Sequence, residues 1–208
     1  MMLDMKVTDF IDKLSSADPV PGGGGASATA GAMGAALGMM VANLTIGKKK
    51  YADVEEEIVQ IKKEVYELQQ RLLDLTDEDA RAFEPLAKAY GLPRETEAEK
   101  QEKEKIMEDA LNVACQPPIQ IMEVILQIMQ FMKVLGEKGS SMAISDVGVG
   151  ILFLQAALEG ASLNVFINTK SMKNRSVAKE LDRKTNSMIQ DGAKLKAEVY
   201  EKVLNRMT

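Results

Sequence analysis

Two aspartates and two asparagines are the residues whose types and spacing best suit chemistry in this sequence. Asp79 continues the apolar seam of a helix in which hydrophobic residues recur every three or four positions between Ile58 and Leu75. Asp146 begins a face that runs at the same spacing, through small residues, to Asn164 and Asn168. A carboxylate on a buried face can transfer protons or balance a cation, and amide side chains can orient a polar substrate.

Each of these residues also has a structural interpretation. Thr76 and Asp79 match a capping box, which would restart the helix and leave Asp79 exposed. Asp146 could simply complement the positive end of a helix dipole, while Asn164 and Asn168 cap or bridge backbone groups. The spacing alone leaves both interpretations open.

The longest uncharged stretch lies between Asp18 and Lys48, and it has four glycines near its start, at residues 22–25. Small residues such as Gly31 and Gly38 then share one helical face, which lets another backbone come close. We therefore expect a glycine loop that leads into a closely packed helix. The free N–H groups of that helix N-terminus suit an anion or a polar edge of a substrate.

The same stretch is long enough to span a bilayer, which takes about 20 apolar residues. Its many glycines, together with Ser27, Thr29 and Asn43, favour instead the central helix of a soluble bundle. Lys48 and Lys49, just after this helix, suit either a solvated helix C-terminus or a binding role.

Composition limits the partners and the chemistry. The chain has 208 residues, 46% of them hydrophobic, and a formal net charge of −5, so it can bury a core but lacks the basic excess of a nucleic-acid-binding protein. Histidine is absent and Cys115 is the single cysteine, which argues against an internal disulfide, a zinc site of Cys or His ligands and a histidine base. The N-terminal residues lack the apolar core of a signal peptide, so we expect a cytoplasmic protein without a membrane or nucleic-acid partner.

Helical periodicity predicts an all-α fold. No segment of the sequence shows the period-two alternation and turn signals of β-strands. We expect residues 1–208 to form a single domain, an antiparallel bundle of long helices. Asp53 and Glu56 predict a capped helix start, Pro117 and Pro118 predict a break in the chain, and residues 177–207 predict a final amphipathic helix.

An ordered set of short motifs covers nearly the whole chain and is similar to one known family. The motifs are Pro-Val-Pro-Gly-Gly-Gly-Gly-Ala-Ser-Ala at 19–28, Gly-Ala-Met-Gly-Ala-Ala-Leu at 31–37, Met-Val-Ala-Asn-Leu-Thr at 40–45, Lys-Lys-Lys-Tyr at 48–51, Asp-Ala-Arg-Ala-Phe at 79–83, Ser-Asp at 145–146 and Asn-Val-Phe-Ile-Asn at 164–168. Together they resemble the cyclodeaminase/cyclohydrolase family of one-carbon folate enzymes.

This resemblance implies an all-helical homodimer that acts on formimino- or methenyl-tetrahydrofolate, including polyglutamylated folates, with no metal and no cofactor. It implies that Asp146 transfers protons and that Asp79 balances positive charge on the substrate. The substrate-binding residues that it implies are Gly22, Gly23, Gly24, Ser27, Lys48, Lys49, Tyr51, Ser145, Asn164 and Asn168. Among these, the glycine amides would hold a polar edge of the folate, the asparagines would orient the pterin, and the lysines would meet the glutamate carboxylates.

One segment departs from the family pattern. Before Ser145 the family usually has Gly-Asn-x-Asn, whereas this chain has Gly139, Ser140, Ser141 and Met142. Both amide side chains are replaced, which also allows a non-catalytic interpretation, a helical oligomerisation or regulatory protein that keeps the family fold. The sequence does not separate cyclodeaminase from cyclohydrolase activity.

Overall fold

Six α-helices account for most of the computed structural model, which describes residues 2–208. They are α1 (Val7–Leu14), α2 (Gly23–Thr45), α3 (Glu55–Tyr90), α4 (Glu97–Lys138), α5 (Ile144–Ser171) and α6 (Arg175–Met207). Three short 3-10 turns, Met2–Asp4, Lys49–Tyr51 and Ser141–Ala143, lie between or before them. Residues 2–208 contain no β-strand, so the predicted all-α fold is confirmed.

Helix α2 packs against α3, α4 and α5. Its small residues permit this position, because they leave room for large side chains of the neighbours. A Cβ atom added at Gly31 would lie 3.2 Å from Leu72 of α3 and 3.3 Å from Ile125 of α4. Ala35, one turn further on, is completely buried. The close packing predicted from the small-residue face is therefore confirmed.

Helices α2 and α5 pack side by side and run in opposite directions. Gly34, in the middle of α2, lies against Leu154 in the first half of α5, and Gly23, at the start of α2, lies against Asn164 in the second half of α5. The glycine helix therefore contacts the helix that carries Asp146.

The predicted break at Pro117 and Pro118 is wrong, because both prolines lie inside the continuous helix α4. A proline has no N–H group, so Pro118 leaves the carbonyl oxygen of Ala114, four residues earlier, without its helical partner. The side chain of Asn168 on α5 donates to this oxygen, with an N–O distance of 3.2 Å. A neighbouring helix thus replaces the missing hydrogen bond and keeps α4 intact.

The capping box predicted at Asp53 and Glu56 is wrong, and the alternative one at Thr76 and Asp79 does not form. Helix α3 begins at Glu55, and its N-cap residue Val54 makes no side-chain capping bond, so Asp53 does not open it. Thr76 is buried inside α3 and donates its hydroxyl to the carbonyl oxygen of Leu72, so the helix continues through Asp79. A capping box does occur elsewhere, at Thr96 in front of α4.

Three helical stretches are long and apolar enough to cross a membrane, judged by length and composition only. They are Gly23–Thr45, Glu97–Lys138 and Ser141–Ser171. In each, 56% of the most apolar window is buried inside the protein. Much of this apolar surface therefore packs against other helices of the bundle.

Gly34→Ala is expected to lower the free energy of unfolding by about 1–2 kcal/mol, because overpacking costs roughly 1–3 kcal/mol and the gain in helix propensity offsets part of it. The added Cβ would lie 2.8 Å from Leu154 and 3.0 Å from the carbonyl oxygen of Gly150. Gly91→Ala is the matched control, since its added Cβ would meet only a carbonyl oxygen at 3.5 Å. Urea unfolding of both variants measures the difference, and equal stabilities would contradict this packing analysis.

Candidate active site

A cleft of about 120 Å³ opens at the N-terminal end of α2, where α3, α4 and α5 approach it. Five of the residues predicted from the sequence line this cleft, namely Gly22, Gly23, Asp79, Asn164 and Asn168. The other lining residues are Pro19, Val20, Phe83, Ala114 and Ile167. Phe83 and Ile167 lie one helical turn after Asp79 and Asn164, so helical spacing could have identified these two.

Asp79 lies against the first turn of α2. Its carboxylate accepts a hydrogen bond from the backbone N–H of Gly25. A Cβ atom at position 24 would run into this carboxylate, so only glycine lets the carboxylate come this close to α2. The predicted glycine loop is wrong in part, because Gly23, Gly24 and Gly25 form the first turn of α2. These glycines and the acidic residue in the α3 seam meet at this one contact.

Burial raises the pKa of Asp79 from 3.8 to about 6, and the hydrogen bond from Gly25 lowers it only in part. The positive end of the α2 dipole also favours the ionised form. A carboxyl group with this pKa is mostly ionised at neutral pH and still gains and loses a proton readily. These are the properties of a general acid and base that works near neutral pH.

Asn164 and Asn168 reach the same cleft from α5. The Nδ2 group of Asn164 donates to the carbonyl oxygen of Gly160, with an N–O distance of 3.0 Å, and its amide packs against Gly23. Asn168 donates to the carbonyl oxygen of Ala114, which Pro118 leaves without a helical partner. Asn168 therefore has a structural role in addition to its place in the cleft.

Ser27, also predicted as a binding residue, serves the packing between helices. Its hydroxyl donates to the carbonyl oxygen of Gly23, with an O–O distance of 2.7 Å. A Cβ added at Gly160 of α5 would lie 2.6 Å from this hydroxyl, so Ser27 fills the gap between the two helices. It is not among the residues that line the cleft.

The remaining predicted site residues lie at the opposite end of α2 and α5. Asp146 and Asn164 are 18 residues apart on α5, which corresponds to about 27 Å along the helix axis. Lys48, Lys49 and Tyr51 follow the C-terminal end of α2, and Ser145 lies in the first turn of α5. Within one chain, the structure does not bring these five residues together with Asp79.

Tyr51 organises this second group. The backbone N–H of Ser141 donates to the Tyr51 hydroxyl oxygen, with an N–O distance of 3.0 Å, and the two hydroxyl oxygens are 3.4 Å apart. The hydrogen bonds from Ser141 lower the pKa of Tyr51 from 10.0 to about 8. Ser140 is buried, and its N–H donates to the hydroxyl of Thr45. Ser140, which replaces one family asparagine, and its neighbour Ser141 therefore hold the start of α5 against the end of α2 and the turn that follows it.

Known proteins give an independent comparison. The family model for formiminotransferase-cyclodeaminase matches residues 6–187. A methenyltetrahydrofolate cyclohydrolase from Methylorubrum extorquens is 37% identical over 201 residues, which cover 97% of each chain. The formimidoyltransferase-cyclodeaminase of Mus musculus is 28% identical over 190 residues, a match that covers 91% of this chain and 35% of the mouse protein.

The fold is also similar to a solved structure. The crystal structure of formiminotetrahydrofolate cyclodeaminase from Thermotoga maritima matches 100% of both chains, with a TM-score of 0.88 and 27% sequence identity. Together with the ordered motifs and the cleft around Asp79, these similarities confirm the resemblance found in the sequence. The chain belongs to the formiminotransferase-cyclodeaminase family.

Proposed function

We propose that this protein is a one-carbon folate enzyme that adds water to the methenyl carbon of methenyltetrahydrofolate, with Asp79 as its general base and acid. One observation carries this proposal. Among the described residues that line the cleft, Asp79 is the only ionisable one, and its pKa is raised to about 6. The similarity to the Methylorubrum extorquens cyclohydrolase over 97% of both chains supports the choice of reaction.

The proposed reaction needs one group that moves protons in both directions. The Asp79 carboxylate accepts a proton from water as the water oxygen bonds to the methenyl carbon. The tetrahedral carbon then forms a carbonyl, and its bond to N5 breaks. Asp79 returns its proton to N5, while the hydroxyl proton leaves to solvent. The products are 10-formyltetrahydrofolate and one proton, so atoms and charge balance.

The groups around Asp79 suit the rest of the substrate. The Nδ2 group of Asn164 already donates to the carbonyl oxygen of Gly160. The Oδ1 atom of Asn164 is therefore left to accept a hydrogen bond from a pterin N–H. The backbone N–H groups at the start of α2, near Gly22 and Gly23, lie at the cleft, where they can donate to a polar edge of the folate. In this proposal Asp79 takes the proton-transfer role that the sequence analysis gave to Asp146, because Asp146 does not reach the cleft of its own chain.

The cyclodeaminase reaction is the second candidate. Here N10 attacks the formimino carbon attached to N5, and ammonia leaves after it is protonated. The full-length structural similarity to the Thermotoga maritima cyclodeaminase favours this candidate. Asp79 can serve the same proton transfers in it. An assay of the purified protein with each folate distinguishes the two reactions. Methenyl absorbance disappears in the cyclohydrolase reaction, whereas it appears together with ammonia in the cyclodeaminase reaction.

We further propose that the protein is a soluble cytoplasmic homodimer and that its substrates carry a glutamate tail. The buried free thiol of Cys115 fits a reducing compartment. The charged groups that suit the carboxylates of such a tail are Lys48 and Lys49, which lie at the far end of α2 from the cleft.

Asp79→Asn is expected to lower turnover of the folate substrate by about 10²-fold or more, the usual contribution of a general acid and base. Asparagine keeps the shape and can still accept from Gly25, so the fold should remain. Loss of methenyl absorbance over time measures the rate. Asp74→Asn, at an exposed position of the same helix, is the control and should turn over normally. Near-normal turnover by Asp79→Asn would reject the role given to Asp79.

The pH dependence of kcat/KM should follow the ionisation of Asp79. Because the carboxylate form is the base, kcat/KM is expected to rise about tenfold per pH unit below the pKa and to level off above about pH 6. Initial rates between pH 4.5 and pH 8, corrected for the uncatalysed reaction, measure this profile. A profile that is flat across about pH 6 would contradict it.

A further inference from the structure

A second cavity lies beside the Asp79 cleft, and with about 270 Å³ against about 120 Å³ it is the larger of the two. We call it the basic pocket, because four of its lining residues are lysine or arginine. Its lining residues are Arg94, Lys100, Lys103, Glu104, Met107, Glu108, Leu111, Ser171 and Lys173. None of them lines the cleft, and none is among the site residues predicted from the sequence.

The basic pocket and the cleft lie along one groove between α4 and α5. A single face of α4 lines both, with residues at spacings of 4, 3, 4 and 3, namely Lys100, Glu104, Met107 and Leu111 in the pocket and Ala114 in the cleft. On α5, Ser171 of the pocket follows Asn168 of the cleft by three residues. Three residues of helix correspond to about 4.5 Å, so a ligand in the cleft can continue directly into the pocket.

Hydrogen bonds hold both walls of the basic pocket in place. The Glu108 carboxylate accepts from the backbone N–H groups of residues 173 and 174, at 2.7 and 3.0 Å, and holds the turn between α5 and α6 against α4. The Lys103 ammonium donates to the carbonyl oxygens of Tyr90 and Leu92, at 2.8 and 2.7 Å, and holds the end of α3 against α4. Glu108 and Lys103 therefore serve to shape the pocket.

Two of the four cations of the basic pocket can bind a ligand. Lys173 already forms an ion pair with Glu104, and Lys103 is held by its two carbonyl partners. Arg94 has no ion-pair or hydrogen-bond partner within residues 2–208. The ion-pair partner of Lys100 is the exposed carboxylate of the preceding helical turn, at 3.6 Å, which is a weak surface contact.

The basic pocket suits an organic anion with an apolar body. Met107 is half-buried and Leu111 is buried, so together they give the pocket an apolar floor. Arg94 and Lys100 are exposed and provide two positive charges at its edge. An aromatic group with two carboxylates matches both parts, because the ring covers the floor and each carboxylate pairs with one cation. A small inorganic anion would use the charges alone.

The proposed substrate carries a group of this kind. In a tetrahydrofolate, the pterin and the one-carbon group are followed by a benzoyl ring and then by a glutamate with two carboxylates. The cleft is smaller than the roughly 300–1,000 Å³ of sites for drug-sized ligands, so part of the folate must lie outside it. Lys48 and Lys49 cannot meet this first glutamate within the same chain, since α2 separates them from the cleft by about 33 Å.

We propose that the basic pocket binds the benzoyl-glutamate end of the folate whose one-carbon group lies at Asp79. The inference rests on the proposed function and narrows its substrate to folates that carry glutamate. The benzoyl ring packs on Met107 and Leu111, and the two carboxylates pair with Arg94 and Lys100. These contacts are remote from the reacting carbon and do not change during the reaction, so they lower KM without raising kcat.

Kinetics of a double variant test this assignment. Arg94→Gln/Lys100→Gln is expected to raise KM for methenyltetrahydrofolate about tenfold at unchanged kcat, because each exposed charge pair contributes a few-fold. KM for methenyltetrahydropteroate, which lacks the glutamate, should stay at the wild-type value. The control Lys63→Gln/Arg183→Gln removes the same charge at exposed positions of α3 and α6 and should change neither KM. An unchanged KM for methenyltetrahydrofolate in the first variant, or an equal rise for both substrates, would overturn the proposal.

A binding measurement tests the basic pocket without turnover. In NMR spectra of the isotope-labelled wild-type protein, p-aminobenzoylglutamate is expected to shift amide signals of residues 94–111 and 171–173, and the Arg94→Gln/Lys100→Gln variant should lose these shifts. No shifts in the wild type, or the same shifts with p-aminobenzoate or inorganic phosphate, would overturn the proposal. If the wild type converts neither folate, the proposed function fails, whereas these shifts still decide whether the pocket binds the benzoyl-glutamate group.

Discussion

The contact between the Asp79 carboxylate and the first turn of α2 is the interaction on which the site depends. It requires an acidic residue inside a continuous α3, a helix that starts at Gly23, and no side chain at position 24. The carboxylate is partly buried, which raises its pKa, while the hydrogen bond from Gly25 at the helix N-terminus lowers the pKa in part. The contact also has a cost for folding. Because the folded pKa is raised, the free energy of unfolding falls as pH rises between about 4 and 6.

The rest of the bundle serves to hold this contact. Small residues along α2 bring α3, α4 and α5 close to this helix, so that three neighbours reach the same cleft. Asn168 contributes both to the fold and to the site, since it stabilises α4 at its prolines and also lines the cleft. The family relationship, and with it the one-carbon folate chemistry, follows from motifs that are mostly these packing and loop residues.

Periodicity in the sequence was sufficient to predict the helices, their apolar faces and the close packing of α2. It could not decide whether Thr76 caps a helix or lies inside one, because that depends on whether the neighbouring helices bury it. Nor could it foresee that α4 continues through Pro117 and Pro118, since the replacement hydrogen bond to Ala114 comes from Asn168, 54 residues after Ala114 in the chain. The separation of Asp146 from Asn164 could have been predicted from the sequence, because helical rise alone places them about 27 Å apart.

The most direct test of the central claim keeps Asp79 and changes only the glycine that lets it reach the helix. Gly24→Ala places a methyl group where the carboxylate lies, whereas Gly25→Ala meets only Pro21 at 3.5 Å and Thr76 at 3.6 Å, ordinary contact distances. Hydrolysis of methenyltetrahydrofolate by the two purified variants is the measurement. Displacement of a catalytic group by about 1 Å commonly costs about 10²-fold in rate, so we expect a loss of that order for Gly24→Ala and near wild-type turnover for Gly25→Ala. Equal turnover by the two variants would contradict the account.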